Sequence, residues 1–210
     1  MRLEVDELAC RRSGRRIFEG LSFRLGAGEA LIVTGRNGAG KSTLLTILAG
    51  RLAPASGTIR VEGVGEKTLP ETLHLVGHRD GLKSALTASE NLAFARDILG
   101  DPGLDPRDAM EAVGLGHAAD LPVAYLSAGQ RRRTALARLL VARRPLWLLD
   151  EPTSALDVGS QDMLHGLMRA HLTEGGMIVV ATHQPLDLPG AQRLAIAPVA
   201  SAASVEETIW

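Results

Sequence analysis

The stretch GRNGAGKST, residues 35–43, decides the fold. It matches the pattern G-x-x-x-x-G-K-[S/T], follows the apolar segment EALIVT (29–34) and precedes the helical pattern TLLTILAGRL (43–52). A strand that enters a glycine-rich loop, which then opens a helix, presents backbone N–H groups and the positive helix end to a phosphate. This context disfavours a chance glycine-rich loop, so we predict a nucleotide phosphate site on an α/β fold.

Each residue of the loop is a candidate nucleotide contact. By the chemistry of such loops, Lys41 reaches the β- and γ-phosphates of ATP, and the Ser42 hydroxyl is a ligand for Mg²⁺. The full set of candidate contacts in the loop is Gly35, Arg36, Asn37, Gly38, Ala39, Gly40, Lys41, Ser42 and Thr43.

Two adjacent carboxylates follow a second apolar segment, LWLLDE, as Asp150 and Glu151. Ligands of open α/β sheets collect at the carboxyl ends of strands, so both side chains are expected near the phosphate loop. Asp150 suits the Mg²⁺ shell and Glu151 suits activation of the attacking water. Alone, the pair could be a solvated turn; together with the loop it favours nucleotide hydrolysis.

The remaining pattern alternates strands with helices. It predicts a mostly parallel core sheet with helices on both faces, an antiparallel edge from LEVDEL and LSFRL, and a helical subdomain at about 80–140. A single domain over 1–210 is expected. The tail after about Pro198 is small and polar, which predicts poor order there.

The composition and net charge limit the classes of partner that we expect for this chain. The net charge is −1 and the only cysteine is Cys10. Nucleic acid is therefore disfavoured as the main partner, no disulfide can form within the chain, and a reducing setting fits best. No apolar run approaches the ~18 residues of a membrane span, so other chains must supply the membrane part of any transport function.

Four ordered motifs, GRNGAGKST, LSAGQRRR, LWLLDEPTSALD and VVATH, resemble the ATP-binding subunits of ABC transporters over nearly the whole chain. The resemblance implies a P-loop NTPase fold and an ATPase that acts as a dimer with membrane permease subunits. It also implies that LSAGQ contacts the γ-phosphate held by the second copy, with Ala128 where the family usually has glycine. The candidate contacts there are Ser127, Ala128, Gly129 and Gln130.

The resemblance assigns three further positions. Asp157 closes SALD, the loop that communicates between subunits, and is a candidate nucleotide contact; His183 is the histidine that contacts the γ-phosphate. The family's adenine-stacking aromatic ring is missing from CRRSGRRIF, where Arg12 lies nearest and could stack through its guanidinium.

His78, in LVGHRDG, takes the place of the family's glutamine that contacts Mg²⁺ or the attacking water and links the nucleotide to the membrane partner. Imidazole can accept from water or bind a metal as an amide can, and it can also take up a proton near neutral pH. A loop histidine without a catalytic part stays the alternative. Three consecutive arginines, Arg131 to Arg133, point in different directions on a helix, and we expect at least two to be solvated.

More narrowly, LVGHRDGLKSALTASENLAF, LSAGQRRRTALARLL and ATHQPL resemble the ATP-binding subunits of the haem exporter of bacterial cytochrome c maturation. This implies a peripheral location on the cytoplasmic face of the inner membrane, with haem handled only indirectly. Transport of another small molecule, soluble action on nucleic acid or the ribosome, and nucleotide sensing without turnover stay as alternatives.

Overall fold

The computed structural model describes residues 1–197, so the tail prediction lies outside the described residues. Two sheets form the framework. An antiparallel sheet has the order β2-β1-β4 and consists of β1 (Arg2–Arg12), β2 (Arg15–Gly26) and β4 (Ser56–Glu62). A parallel sheet has the order β5-β6-β7-β3-β8 and consists of β3 (Ala30–Thr34), β5 (Leu73–Val76), β6 (Leu146–Asp150), β7 (Met177–Ala181) and β8 (Gln192–Ala195).

Five α-helices accompany these strands in the described part of the chain. Helix α1 (Lys41–Leu48) follows the phosphate loop directly. The others are α2 (Ala88–Leu99), α3 (Pro106–Ala112), α4 (Ala128–Val141) and α5 (Val158–Thr173). The predicted fold class, a mostly parallel core sheet with an antiparallel sheet and a helical subdomain, is confirmed.

The three central strands are apolar on both faces. The strands β6 and β7 are buried along their whole length, and β3 is buried from Ala30 to Val33. Alternate side chains point to opposite faces of a sheet. One set, including Leu31 and Leu148, packs with α1 and the antiparallel sheet, and the other set packs with α4 and α5. A parallel sheet covered on both faces requires such continuously apolar strands.

Helices α2, α3 and the outer side of α4 share a third apolar cluster around Leu92, Met110 and Val141. These helices form the helical subdomain. Helix α4 contributes to this cluster and, through Leu136 and Leu139, to the core below the parallel sheet. It therefore joins the helical subdomain to the sheet.

Two features differ from the sequence-based expectation. Strand β8 was not predicted, because QRLA is short and mostly exposed and pairs only along the edge of β3. The three arginines are not solvated either. Arg132 is buried, while Arg131 and Arg133 are half-buried and donate to the backbone oxygens of Leu126 and Val113. The expectation was wrong because each guanidinium finds carbonyl acceptors exposed by neighbouring loops.

Candidate active site

The carboxyl ends of β3, β5, β6 and β7 lie on the same edge of the parallel sheet, and the chain continues there into the predicted motifs. The phosphate loop follows β3, and His78 lies two residues after β5. Asp150 ends β6, Glu151 comes next, and His183 lies two residues after β7. Parallel pairing thus brings together residues that are far apart in the sequence.

Most of these residues line one open cleft of about 780 Å³, and Asp150 lies behind its lining residues rather than among them. Its walls contain most of the phosphate loop together with Arg12, His78, Glu151 and His183. Sequence reasoning missed Ile17, Ala155 and Gln184, which also line the cleft. They belong to the segments CRRSGRRIF, SALD and ATHQPL that the sequence analysis singled out, but their side chains carry no charge, so only the tertiary fold could show that they line the cleft.

Glycine is required at two positions of the phosphate loop. Gly40 has φ +104°, and a Cβ there would lie 2.5 Å from Ile17 Cγ2. Gly35 has φ +149°, and a Cβ would lie 2.8 Å from the backbone oxygen of Ile196. Any larger residue would push the loop away from β2 or β8. The glycines therefore let the loop curl against the sheet edge and open α1 at Lys41.

Lys41 is buried, with 7% of its surface exposed, and its ammonium points back into the loop. Lys41 Nζ donates to the backbone oxygen of Gly35 at 2.9 Å and lies 3.9 Å from Glu151 Oε1. The ammonium is therefore held between the phosphate loop and Glu151, the residue that follows β6. Ser42, one residue later, is exposed to the cleft.

Within residues 1–197, Glu151 is the one acidic residue that lines the cleft. Its Oε1 lies 2.9 Å from His183 Nδ1, and its Oε2 accepts from the backbone N–H of His183 at 3.4 Å. Its backbone has φ +45°, in the left-handed region that non-glycine residues rarely occupy. Such strain is typical of functional sites and costs on the order of 1–3 kcal/mol.

Asp150 is 6% exposed, and its Oδ1 has no hydrogen-bond partner. A buried carboxylate oxygen without a partner is rare in a native fold and calls for a cation or water. The residues therefore fit a Mg²⁺ site that Asp150 and the Ser42 hydroxyl would share with nucleotide phosphates. No cluster of three or more His, Cys, Asp or Glu residues suited to a metal ion occurs within 1–197.

The LSAGQ segment lies outside this cleft and forms the start of α4. Ser127 is the N-cap: its Oγ accepts from the backbone N–H of Gln130 at 3.2 Å, and Gln130 Oε1 accepts from the backbone N–H of Ser127 at 2.8 Å. This capping box leaves other N–H groups of the first turn directed outward. Ser127 and Ala128 are exposed, so the helix end is open to a ligand.

The SALD loop lies beside the start of α4. A Cβ on Gly129 would lie 3.2 Å from the backbone oxygen of Ala155, which shows how closely the two segments pack. Asp157 caps α5, since its Oδ1 accepts from the backbone N–H of Ser160 at 2.8 Å. Hydrogen bonds from Ser160 lower the pKa of the Asp157 carboxyl, so it stays ionised as a cap. Its role in binding nucleotide stays a prediction.

The sequence model of the ABC transporter family matches residues 18–154. The chain is 56% identical over 189 residues to the cytochrome c biogenesis ATP-binding export protein CcmA of Bradyrhizobium diazoefficiens, covering 90% of this chain and 94% of that one. It is 54% identical over 197 residues to the protein of the same name from Chelativorans sp., covering 92% and 97%.

A Pyrococcus furiosus structure described as an ABC transporter ATP-binding protein superposes with a TM-score of 0.81 at 21% identity. It covers 93% of this chain and 98% of that one, and it supports the fold alone.

Proposed function

Because the chain belongs to the ABC transporter family, and within it to the CcmA-type cytochrome c biogenesis ATP-binding export proteins, we propose that it drives haem handling in cytochrome c maturation. In this role it is the ATP-hydrolysing subunit of a membrane complex. The observation that carries the proposal is the identity above 50% over nine-tenths of the chain with CcmA relatives. The ATPase class itself follows from family membership.

ATP binds, in this proposal, along the phosphate loop. The N–H groups of residues 35–43 and the positive end of α1 receive the phosphates, and Lys41 Nζ leaves the Gly35 oxygen, 2.9 Å away, for the β- and γ-phosphates. Arg12, on the cleft wall beside Ile17, stacks on adenine in place of an aromatic ring. Ser42 and Asp150 would hold Mg²⁺, which would neutralise phosphate charge.

Glu151 is the proposed general base. Its carboxylate faces the cleft and can accept a proton from the water that attacks the γ-phosphate. His183 Nδ1, 2.9 Å from Glu151 Oε1, orients that carboxylate, and the exposed imidazole also lines the cleft. Positioning and electrostatics supply most of the rate in phosphoryl transfer.

His78 is the proposed link to the membrane partner. It lies at the cleft wall directly after β5, exposed, on the loop that leads to the helical subdomain. A residue in that position can sense bound nucleotide at its ring and move the following loop with its backbone.

The signature segment Ser127–Gln130 requires a second copy. It lies outside the cleft of its own chain, so it serves the cleft of a partner copy in a head-to-tail dimer. Large exposed apolar side chains flank it and the SALD loop: Tyr125 is 79% exposed and Val158 is 75% exposed. Burial of these side chains in the dimer would favour association.

Membrane permease subunits of a cytochrome c maturation complex complete the assembly on the cytoplasmic face of the inner membrane. No helix within the described part of the chain is long and apolar enough to cross a membrane. The proposal gives nucleic acid no role, and this subunit acts on haem only indirectly, through the complex.

The test is copurification combined with complementation. A tagged full-length chain is expressed in a host that lacks its own cytochrome c maturation ATPase, and membranes are solubilised and captured. We expect the captured permease subunits to be those of cytochrome c maturation and covalent haem staining of c-type cytochromes to be restored. Glu151→Gln is the matched control that should assemble without restoring the stain. Capture of unrelated permeases, or failure to restore the stain, contradicts the proposal.

A further inference from the structure

Arg132 is the most completely bonded charged side chain near the candidate active site. It lies on α4 and is 3% exposed. A guanidinium carries five N–H donors in a rigid plane. Each of these donors has an acceptor. Nε donates to the backbone oxygen of Pro152 at 3.4 Å, and Nη1 donates to the backbone oxygen of Gly77 at 2.8 Å and to Asp80 Oδ1 at 3.3 Å. Nη2 donates to the backbone oxygens of Asp150 at 3.0 Å and Glu151 at 2.9 Å.

These acceptors belong to two separate segments. Gly77 and Asp80 flank His78 in the loop after β5, whereas Asp150 is the last residue of β6 and Glu151 and Pro152 follow it. Arg132 itself is carried by the helix that starts at Ser127, about one and a half turns away. One guanidinium therefore joins the His78 loop, the segment with the proposed base and the signature helix.

Arg132 contacts the residue after β6 whose backbone is strained, Glu151. Arg132 Nη2 donates to the carbonyl oxygen of Asp150 and to that of Glu151, the residue whose φ is +45°. A second bond to the Glu151 oxygen comes from the backbone N–H of Ser154 at 3.1 Å. A residue in a disfavoured conformation persists only where its surroundings over-determine it, and Arg132 supplies two of those restraints.

We propose that Arg132 is a positioning residue for hydrolysis, which holds the Glu151 backbone in its left-handed conformation and ties it to the His78 loop and the signature helix. This rests on the proposed function, in which Glu151 is the base and the partner's nucleotide docks on Ser127–Gln130. A shift of α4 when nucleotide binds is then transmitted to the carboxylate and to the His78 loop through one side chain.

Lysine cannot replace this arrangement. Its single nitrogen can reach one of the two segments but lacks the fork that spans both, although it keeps the charge beside Asp80. Arg132→Lys therefore removes the bridge between the two segments but keeps the positive charge. The adjacent Arg133, which donates to the Val113 oxygen at 3.2 Å inside the helical subdomain, offers a matched control, Arg133→Lys.

The experiment measures ATPase kinetics of the full-length chain in its purified membrane complex. We expect Arg132→Lys to lower kcat about 10- to 100-fold while KM for ATP stays within about threefold, since misplacement of a reacting group by an ångström has effects of that size. Arg133→Lys should stay within about twofold of wild type. A wild-type kcat for Arg132→Lys overturns the proposal.

Hydrogen exchange of the full-length chain separates positioning from general stability. In Arg132→Lys, exchange should rise in peptides that cover residues 77–80 and 150–154 and stay unchanged in β3, β7 and α5. A uniform rise, or a kcat loss matched by a loss of ATP affinity, overturns the proposal in favour of a merely structural role. If the wild-type complex does not hydrolyse ATP, the proposed function fails, while the local exchange pattern still decides whether Arg132 holds these segments.

Discussion

At the scale of single residues, Glu151 shows how strain and charge are combined. Its left-handed backbone turns the side chain back over the sheet edge, where it meets His183 at 2.9 Å and Lys41 at 3.9 Å. An extended continuation of β6 would carry the side chain away from this edge. The conformational penalty is therefore linked to the contacts that place Glu151 for its proposed role as base.

Glu151→Gln is expected to keep ATP affinity within about threefold and to lower kcat by at least about 100-fold, because the amide fills the same volume but cannot accept the proton. With ATP, the variant should accumulate as a closed dimer on size-exclusion chromatography. Turnover at the wild-type rate would remove Glu151 from the role of base.

The role of His78 is tested by two substitutions, one that keeps a hydrogen-bonding side chain and one that removes it. We expect His78→Gln to retain ATPase activity within about threefold, because the amide can also accept from water, and His78→Ala to lose about tenfold or more. Activity is measured in the membrane complex with ATP in excess. Wild-type activity of both variants would show that the histidine has no catalytic part.

At the scale of elements, α4 and β5 are held together by buried polar groups as well as by apolar packing. His74 on β5 is buried, and its Nε2 lies 2.9 Å from the backbone oxygen of Ala142, directly after α4. Burial is the main cause that lowers the pKa of His74 from 6.5 to about 4, with weaker contributions from Arg144 and Arg138. The neutral ring therefore links the helix end to the edge strand.

This link predicts a loss of stability in acid. Below pH 6.5 the unfolded chain takes up a proton at His74, whereas the folded chain does so only near pH 4. The free energy of unfolding should therefore fall by about 2 kcal/mol between pH 7 and pH 5 from this residue, and burial lowers the pKa of His171 in the same direction.

The measurement is denaturant unfolding of the full-length chain at pH 7 and pH 5. His74→Gln, which can still donate to Ala142, should reduce the difference between the two pH values by about 2 kcal/mol. The exposed His117→Gln serves as a control with the wild-type difference. An unchanged difference in His74→Gln would contradict the assignment of this acid sensitivity to His74.

At the scale of the whole molecule, the site is complete only between two copies in the proposed dimer. The phosphate loop opens the cleft, but Ser127 and Ala128 lie exposed outside it. A copy with a damaged loop can therefore still donate its signature helix to a partner. The two defects should complement each other when they are on different chains.

Mixing Lys41→Ala with Gly129→Asp tests this arrangement. Each variant alone should be inactive, since Lys41→Ala weakens ATP binding and Gly129→Asp places a carboxylate at the phosphate-facing helix start, beside Ala155. Mixed dimers contain one intact site of two and form half of all dimers at random, so roughly a quarter of wild-type activity is expected. No recovery after verified subunit exchange would contradict the head-to-tail dimer.

The sequence by itself determined the fold class, the strand-loop-helix unit of residues 29–48 and the candidate residues on it. The spacing of apolar residues and the glycines of GRNGAGKST are local features of the sequence. They can be interpreted without knowing which distant residues they contact in the fold. The helix start at Ser127 was readable for the same reason, because the capping box lies within four consecutive residues.

Only the tertiary structure decided which polar groups meet. Arg132 lies on the same helical stripe as Leu136 and Leu139, which hints at burial, yet its acceptors come from residues 52 to 55 positions before it and 18 to 20 positions after it. The strain at Glu151 and the orphan oxygen of Asp150 are likewise products of packing. Parallel pairing brings distant strand ends to one edge, and the partners of each charge there are set by that geometry rather than by neighbouring residues in the chain.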